Sequence, residues 1–158
     1  MRRRIRAILA ILRILTLCVL LAGTLVACGG ESEIYADGVY EGVSGVYVSL
    51  DADDGNDIGD GYGVATITIQ NGVIVACDYV SYTADDQLKD ENYGKIHGEI
   101  SNQDYYNMAQ RAALACGTYA EQLAKTGSLD KVDVISGATI SYDQFKEAVQ
   151  DALKQAAS

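Results

Sequence analysis

The chain of 158 residues has no proline, no tryptophan, a single histidine and no Cys-x-x-Cys pair. Each shortage closes a class of function. Without Cys-x-x-Cys there is no basis for a thiol relay. His97 has no cysteine or aspartate at metal-ligand spacing and belongs to no Ser-His-Asp or Cys-His arrangement, so a surface loop is its expected place. Hydrolytic catalysis therefore has no foundation. Positive charge is scarce: 12 basic residues face 22 acidic ones, a formal net charge of −10. That sign excludes nucleic acid as a partner and opposes anionic lipid headgroups. Any membrane attachment then needs a different device. No apolar run reaches the roughly 20 residues of a membrane-spanning helix. There is no internal repeat, and glycine alone punctuates the chain. What remains is 49% hydrophobic and 22% charged, a globular composition at the length of one domain.

Residues 1–27 differ from the rest. They hold Arg2, Arg3, Arg4, Arg6 and Arg13, no acidic residue, and an apolar run from position 14 to 27. A basic stretch before a short apolar one is the pattern of a secretory signal. The boundary Leu25-Val26-Ala27-Cys28 resembles the bacterial lipobox, which implies lipidation of Cys28 as the mature amino terminus. Residues 28–37 read as a short polar tether, at most about 3.5 Å per residue. The domain, 38–156, is thus expected at the cell membrane, lipid-anchored and facing outside the cytoplasm. Once the signal is removed, seven basic residues oppose 22 acidic ones, and the charge becomes −15.

The mature domain opens with strand patterns. Glycine-punctuated β-branched and aromatic residues fill 38–43 and 46–50. Residues 64–70 alternate, with Ala65, Ile67 and Ile69 on one face. Asn71-Gly72 then signals a two-residue hairpin, and 73–80 returns as its partner. Helical periodicity follows. Ser101 is the expected cap of a helix whose buried face includes Tyr105, Met108, Ala109, Ala112, Cys116, Tyr119, Ala120 and Leu123. Gly117 is a point at which that helix weakens or splits. Ser141 and Gln144 fit a capping box ahead of a last helix burying Phe145, Ala148, Val149, Ala152, Leu153 and Ala156. Strands first and helices after predict a single α+β domain, an antiparallel sheet packed against C-terminal helices.

Between the helices runs Asp133-Val134-Ile135-Ser136-Gly137-Ala138-Thr139. Gly137 permits positive φ, and small Ala138 lets a bulky group approach. Thr139 is expected two residues before Ser141, just outside the helix amino terminus, where free N–H groups and the dipole favour phosphate. The segment resembles the FMN-binding domain family, found in the C subunit of sodium-pumping NADH:quinone reductase and in bacterial lipoproteins. The family pattern is Asp, two variable residues, Ser or Thr, Gly, Ala, then Thr or Ser. Asp133, Ser136, Gly137, Ala138 and Thr139 match every fixed position. The likeness extends from about Gly38 to Leu153, through the Asn71-Gly72 hairpin and the start of the first helix.

The resemblance implies FMN bound covalently through a phosphoester to Thr139, loaded by an FAD:protein FMN transferase. It also implies a membrane electron donor and an extracytoplasmic acceptor. Ser141 is the rival attachment site, Ser136 a turn hydrogen-bonder, and Asp133 either a turn residue or a transferase contact. A carrier of electrons fits better than a stand-alone enzyme, with no catalytic residue assigned. A small flavin reductase and a non-redox lipoprotein of the same fold are the alternatives. Tyr40, Tyr47, Tyr79 and Tyr105 belong either near the flavin or in the core. Cys77 and Cys116 are either two free thiols or a disulfide. The acidic loop 51–61 begins like a calcium loop, but Gly55 takes the fifth position and no glutamate the twelfth. No metal is expected.

Overall fold

The computed structural model describes residues 35–48 and 59–157. Cys28, the signal, most of the tether and most of the acidic loop lie outside the described residues. Three strands, β1 (Gly38–Val43), β2 (Tyr62–Gln70) and β3 (Val73–Tyr82), form an antiparallel sheet in that order. Two helices follow, α1 (Gln103–Thr126) and α2 (Thr139–Ala156), joined through a short 3-10 turn at Leu129–Lys131. The domain is α+β, as the order of patterns predicts. Residues 46–50 yield no strand among the described positions; only Tyr47 pairs, as an isolated bridge to Gly61.

Local chemistry sets the sheet. Asn71 (φ 54°) and Gly72 (φ 74°) both adopt positive φ, as a two-residue hairpin turn of this kind demands. The alternation of β2 sends Ala65, Ile67 and Ile69 into the core. In β3 the phase slips: Thr68 faces Ala76 while Ile69 faces Ile74. This bulge lets Ile74 and Tyr79 both point inward although they lie an odd five positions apart.

The helices cover one face. α1 packs on β3, and α2 packs on β1 and β2. Their core residues include Cys116, Tyr119, Ala120 and Leu123 from α1, with Phe145, Ala148, Val149 and Ala152 from α2. Helix α1 starts one residue later than expected. Asn102 is the cap, its side-chain oxygen accepting from the N–H groups of Asp104 and Tyr105. The helix runs unbroken through the exposed Gly117, and Met108 lies outside the buried face, 48% exposed. Gly127, φ 64°, ends it in the left-handed conformation.

Helix α2 also protects the free edge of β1. Asp151 accepts from the Val43 N–H (3.2 Å), Glu147 accepts from the Gly45 N–H (3.1 Å), and Gln155 donates to the Glu41 carbonyl (2.6 Å). Side chains thus occupy backbone groups that would otherwise template a foreign strand. Tyr35 pairs with Ala157, and the Ala36 N–H donates to the Ala156 carbonyl at 2.8 Å. No helix among the described residues is long and apolar enough to cross a membrane.

Candidate functional site

The segment from Val132 to Thr139 is held from below by tyrosines. Tyr119, fully buried in α1, donates its hydroxyl to the Ala138 carbonyl (3.1 Å) and accepts from the Ile135 N–H (3.1 Å). Tyr142 donates to the Val132 carbonyl at 3.3 Å, and Gln122 Oε1 accepts from the Asp133 N–H at 2.8 Å. The Ala138 N–H closes a tight turn onto the Ile135 carbonyl at 3.0 Å. Gly137 occupies its third position with φ 80°, where a side chain is disfavoured.

The helix starts earlier than the capping-box reading predicts. Ala138 is the cap and offers no side-chain hydrogen bond, while Thr139 is the first helical residue. Ser141 lies inside the helix, 4% exposed. Gln144 does not reach back to it. Its Nε2 donates to the carbonyls of Gly59 (3.1 Å) and Gly61 (2.8 Å), and its Oε1 has no partner among the described residues. The helical entry is set by these long-range bonds and by the Tyr119 hydroxyl, rather than by a local box.

An uncapped amino terminus has a chemical consequence. Among the described residues, the backbone N–H groups of Thr139, Ile140 and Ser141 have no acceptor. They converge where the helix dipole is positive, the standard arrangement for a phosphate. The Thr139 side chain is exposed beside them. Around it lies a shallow cavity of about 230 Å³, lined by Gly59, Ala112, Gly137, Ala138, Thr139, Ile140 and Ser141. That is below the roughly 300–1,000 Å³ of sites that enclose a small ligand. The phosphate end of a nucleotide fits these donors; a flavin ring is not enclosed by them.

The sequence-derived site residues are brought together only in part. Gly137, Ala138 and Thr139 line the cavity. Ser136 is exposed, and its hydroxyl makes none of the bonds that hold the turn. The turn hydrogen-bonder is Tyr119 instead, a residue whose helical spacing announces only a core position. Asp133 is exposed and contributes its backbone N–H. Gly59, which the sequence places only in the acidic loop, also lines the cavity. Its N–H donates to the Tyr93 hydroxyl at 3.1 Å, and a methyl group there would lie 2.8 Å from Ile140 Cδ1.

The sequence model of one family, the FMN-binding domain, matches residues 59–154. The chain belongs to the FMN-binding domain family. The match contains β2, β3, α1 and α2 as far as Lys154, and FMN is the cofactor that membership assigns. The CPE2226 protein from Clostridium perfringens, a solved crystal structure, is similar at 25% identity with a TM-score of 0.51. The similarity covers 77% of this chain and 88% of that one. No curated protein matches.

The remaining features of this FMN-binding domain lie away from Thr139. A larger hollow, about 520 Å³, sits among the hairpin turn, Gly127–Asp130 and the last turns of α2. Leu153 on its wall is 14 residues beyond Thr139, about 21 Å along a helix. Cys77 and Cys116 are free thiols. Among the described residues no group of histidine, cysteine or acidic side chains has the arrangement of a metal site. Tyr79 is core, its ring edge-on to Phe145 at 5.0 Å, and Tyr47 and Tyr105 lie outside the cavity lining.

Proposed function

We propose that this domain is a lipid-anchored flavoprotein that carries FMN on Thr139 and relays electrons outside the cytoplasm. The observation that carries the attachment site is the exposed Thr139 hydroxyl beside three N–H groups that lack acceptors. Ser141, the rival, is buried and cannot meet a transferase without unwinding the helix. In the loading step the Thr139 oxygen attacks the FMN phosphorus of FAD and forms the phosphoester. The pyrophosphate bond breaks, AMP leaves, and the hydroxyl proton passes to a base on the transferase. The uncapped N–H groups then hold the anionic linkage.

Bound FMN supplies one- and two-electron redox chemistry. A cavity too small to enclose the ring favours covalent over reversible retention, since released flavin would be lost by dilution outside the cell. It also leaves the ring open to docking partners, which suits a carrier better than a stand-alone enzyme. The lipid on Cys28 and the short tether keep the head near a membrane donor. A charge of −15 on residues 28–158 selects donor and acceptor proteins with basic docking faces.

The test is coexpression with a matching FMN transferase, denaturation, and inspection of the protein band for flavin fluorescence. Wild type and Thr139→Ser should fluoresce, and Thr139→Ala should be dark. A fluorescent Thr139→Ala band would move the attachment elsewhere. A dark wild-type band beside an active transferase would leave a non-redox lipoprotein of this fold.

A further inference from the structure

Outside residues 1–27 the sequence contains one arginine, Arg111. It sits on α1 next to Ala112, which lines the Thr139 cavity. Its side chain crosses to the turn: a methyl group placed on Gly137 would lie 3.6 Å from both Arg111 Cδ and Nη1. The guanidinium is therefore held two residues before Thr139, on the side of the turn that glycine leaves open. Among the described residues it has neither an ion-pair nor a hydrogen-bond partner. Its own helix offers none at pairing distance, because Asn107, Met108, Leu114 and Ala115 occupy the positions three and four away. An unpaired arginine on a domain with a threefold excess of acidic residues is unusual, and its fork of donors matches phosphate geometry.

We propose that Arg111 is a positioning residue for the cofactor, its guanidinium pairing with the phosphate that joins FMN to Thr139. The proposal rests on attachment at Thr139. A phosphodiester keeps one negative charge, and on this domain that charge meets the repulsion of the acidic surface. The uncapped N–H groups offset part of it from the helix side. Arg111 offsets more from the opposite side and fixes the direction in which the flavin leaves the turn.

The experiment compares flavinylated and unflavinylated forms of wild type, Arg111→Lys, Arg111→Gln and Arg111→Glu by thermal unfolding. It is run at about 0.05 M and about 0.5 M salt, a change that shortens the Debye length severalfold. Because Arg111 is exposed and unpaired, the four unflavinylated proteins should unfold at the same temperature. Flavinylation should raise the wild-type midpoint at low salt, with a smaller rise at high salt. Arg111→Gln should lose most of that rise and its salt dependence, Arg111→Glu should show a fall, and Arg111→Lys should keep part. If Arg111→Gln and Arg111→Glu retain the full wild-type rise, the proposal is overturned while attachment at Thr139 stands. A dark wild-type band overturns both. Where Arg111→Gln loads too poorly for unfolding, the loading yield of Arg111→Lys decides: recovery supports a charge contact, and a yield as low as that of Arg111→Gln overturns it.

Discussion

Tyr119 does two jobs at one atom. Its hydroxyl donates to Ala138 and accepts from Ile135, so a single core residue fixes both ends of the turn that presents Thr139. Its ring stacks on Phe145 with centroids 5.6 Å apart, which leaves the hydroxyl little freedom to swing away. Burial raises its pKa above the ordinary phenolic value, against a smaller lowering by the Ile135 N–H, so the donor proton stays in place at neutral pH. Tyr119→Phe keeps the stacking and removes only the oxygen. The half-buried Ile135 N–H is then left without a partner, and such an orphan costs about 1–3 kcal/mol. The urea midpoint should fall accordingly with an unchanged slope, and flavin loading on Thr139 should fall with it. An unaltered midpoint would mean that the turn is held by the Ala138–Ile135 bond and Gly137 alone.

At the level of elements, helix α2 is seated on β1 with no room between them. A methyl group on Gly42 would collide with the Ala148 carbonyl and the Ala152 N–H. Gly42→Ala should therefore push the helix off the sheet, at the roughly 1–3 kcal/mol typical of overpacking. The lost stability is read in the denaturant midpoint, and Gly45→Ala, where the nearest atom is the flexible Glu147 carboxylate at 3.5 Å, is the control that should change little. Why some elements were legible in the sequence follows from such contacts. The β2 alternation, the Asn71-Gly72 turn and the α2 apolar stripe are local patterns, and each appears as read except that Leu153 at the end of the stripe is only half-buried. The same holds for Gly137, whose positive φ is a property of that residue type. Gly117 leaves α1 intact because the cost of one glycine, about 1 kcal/mol, is outweighed by buried Cys116, Tyr119 and Ala120 around it. The misplaced start of α2 has the opposite cause. Gln144 is bound to carbonyls more than 80 positions earlier, and no local window contains that partner. Tyr119 takes the bonding role expected of Ser136 for the same reason: the turn is bonded across the fold rather than within itself.

Across the whole molecule, acidic residues dominate, yet a lysine is buried in it. Lys89 is 8% exposed, with its ammonium 5.2 Å from the centre of the Tyr93 ring. Burial pushes its pKa down from 10.5 to about 8, against the opposing influence of Cys116 and Asp60. Between those two values the unfolded chain binds more protons at Lys89 than the native one, so this group makes stability rise with pH. The thiols, Cys116 buried and Cys77 half-buried, act in the other direction. Desolvation raises Cys116 to about 11 and Cys77 to about 12, so above pH 9 the native state keeps protons that the unfolded chain releases. Their contribution to stability is fully present below that pH and is lost as it rises. A single pH profile therefore mixes opposed slopes, and the useful quantity is a difference. Lys89→Met keeps the buried stem, removes the charge, and leaves both cysteines in place. The stability of wild type minus that of Lys89→Met, from urea unfolding at pH 7, 8, 9 and 10, should be flat up to about pH 8 and then climb. A difference that stays level to pH 10 would show that the ammonium reaches solvent and is not held at a cost in the interior. A climbing difference identifies the cost directly: an amine kept dry between α1 and the loop that carries Tyr93, the residue that also accepts from Gly59 at the cavity wall.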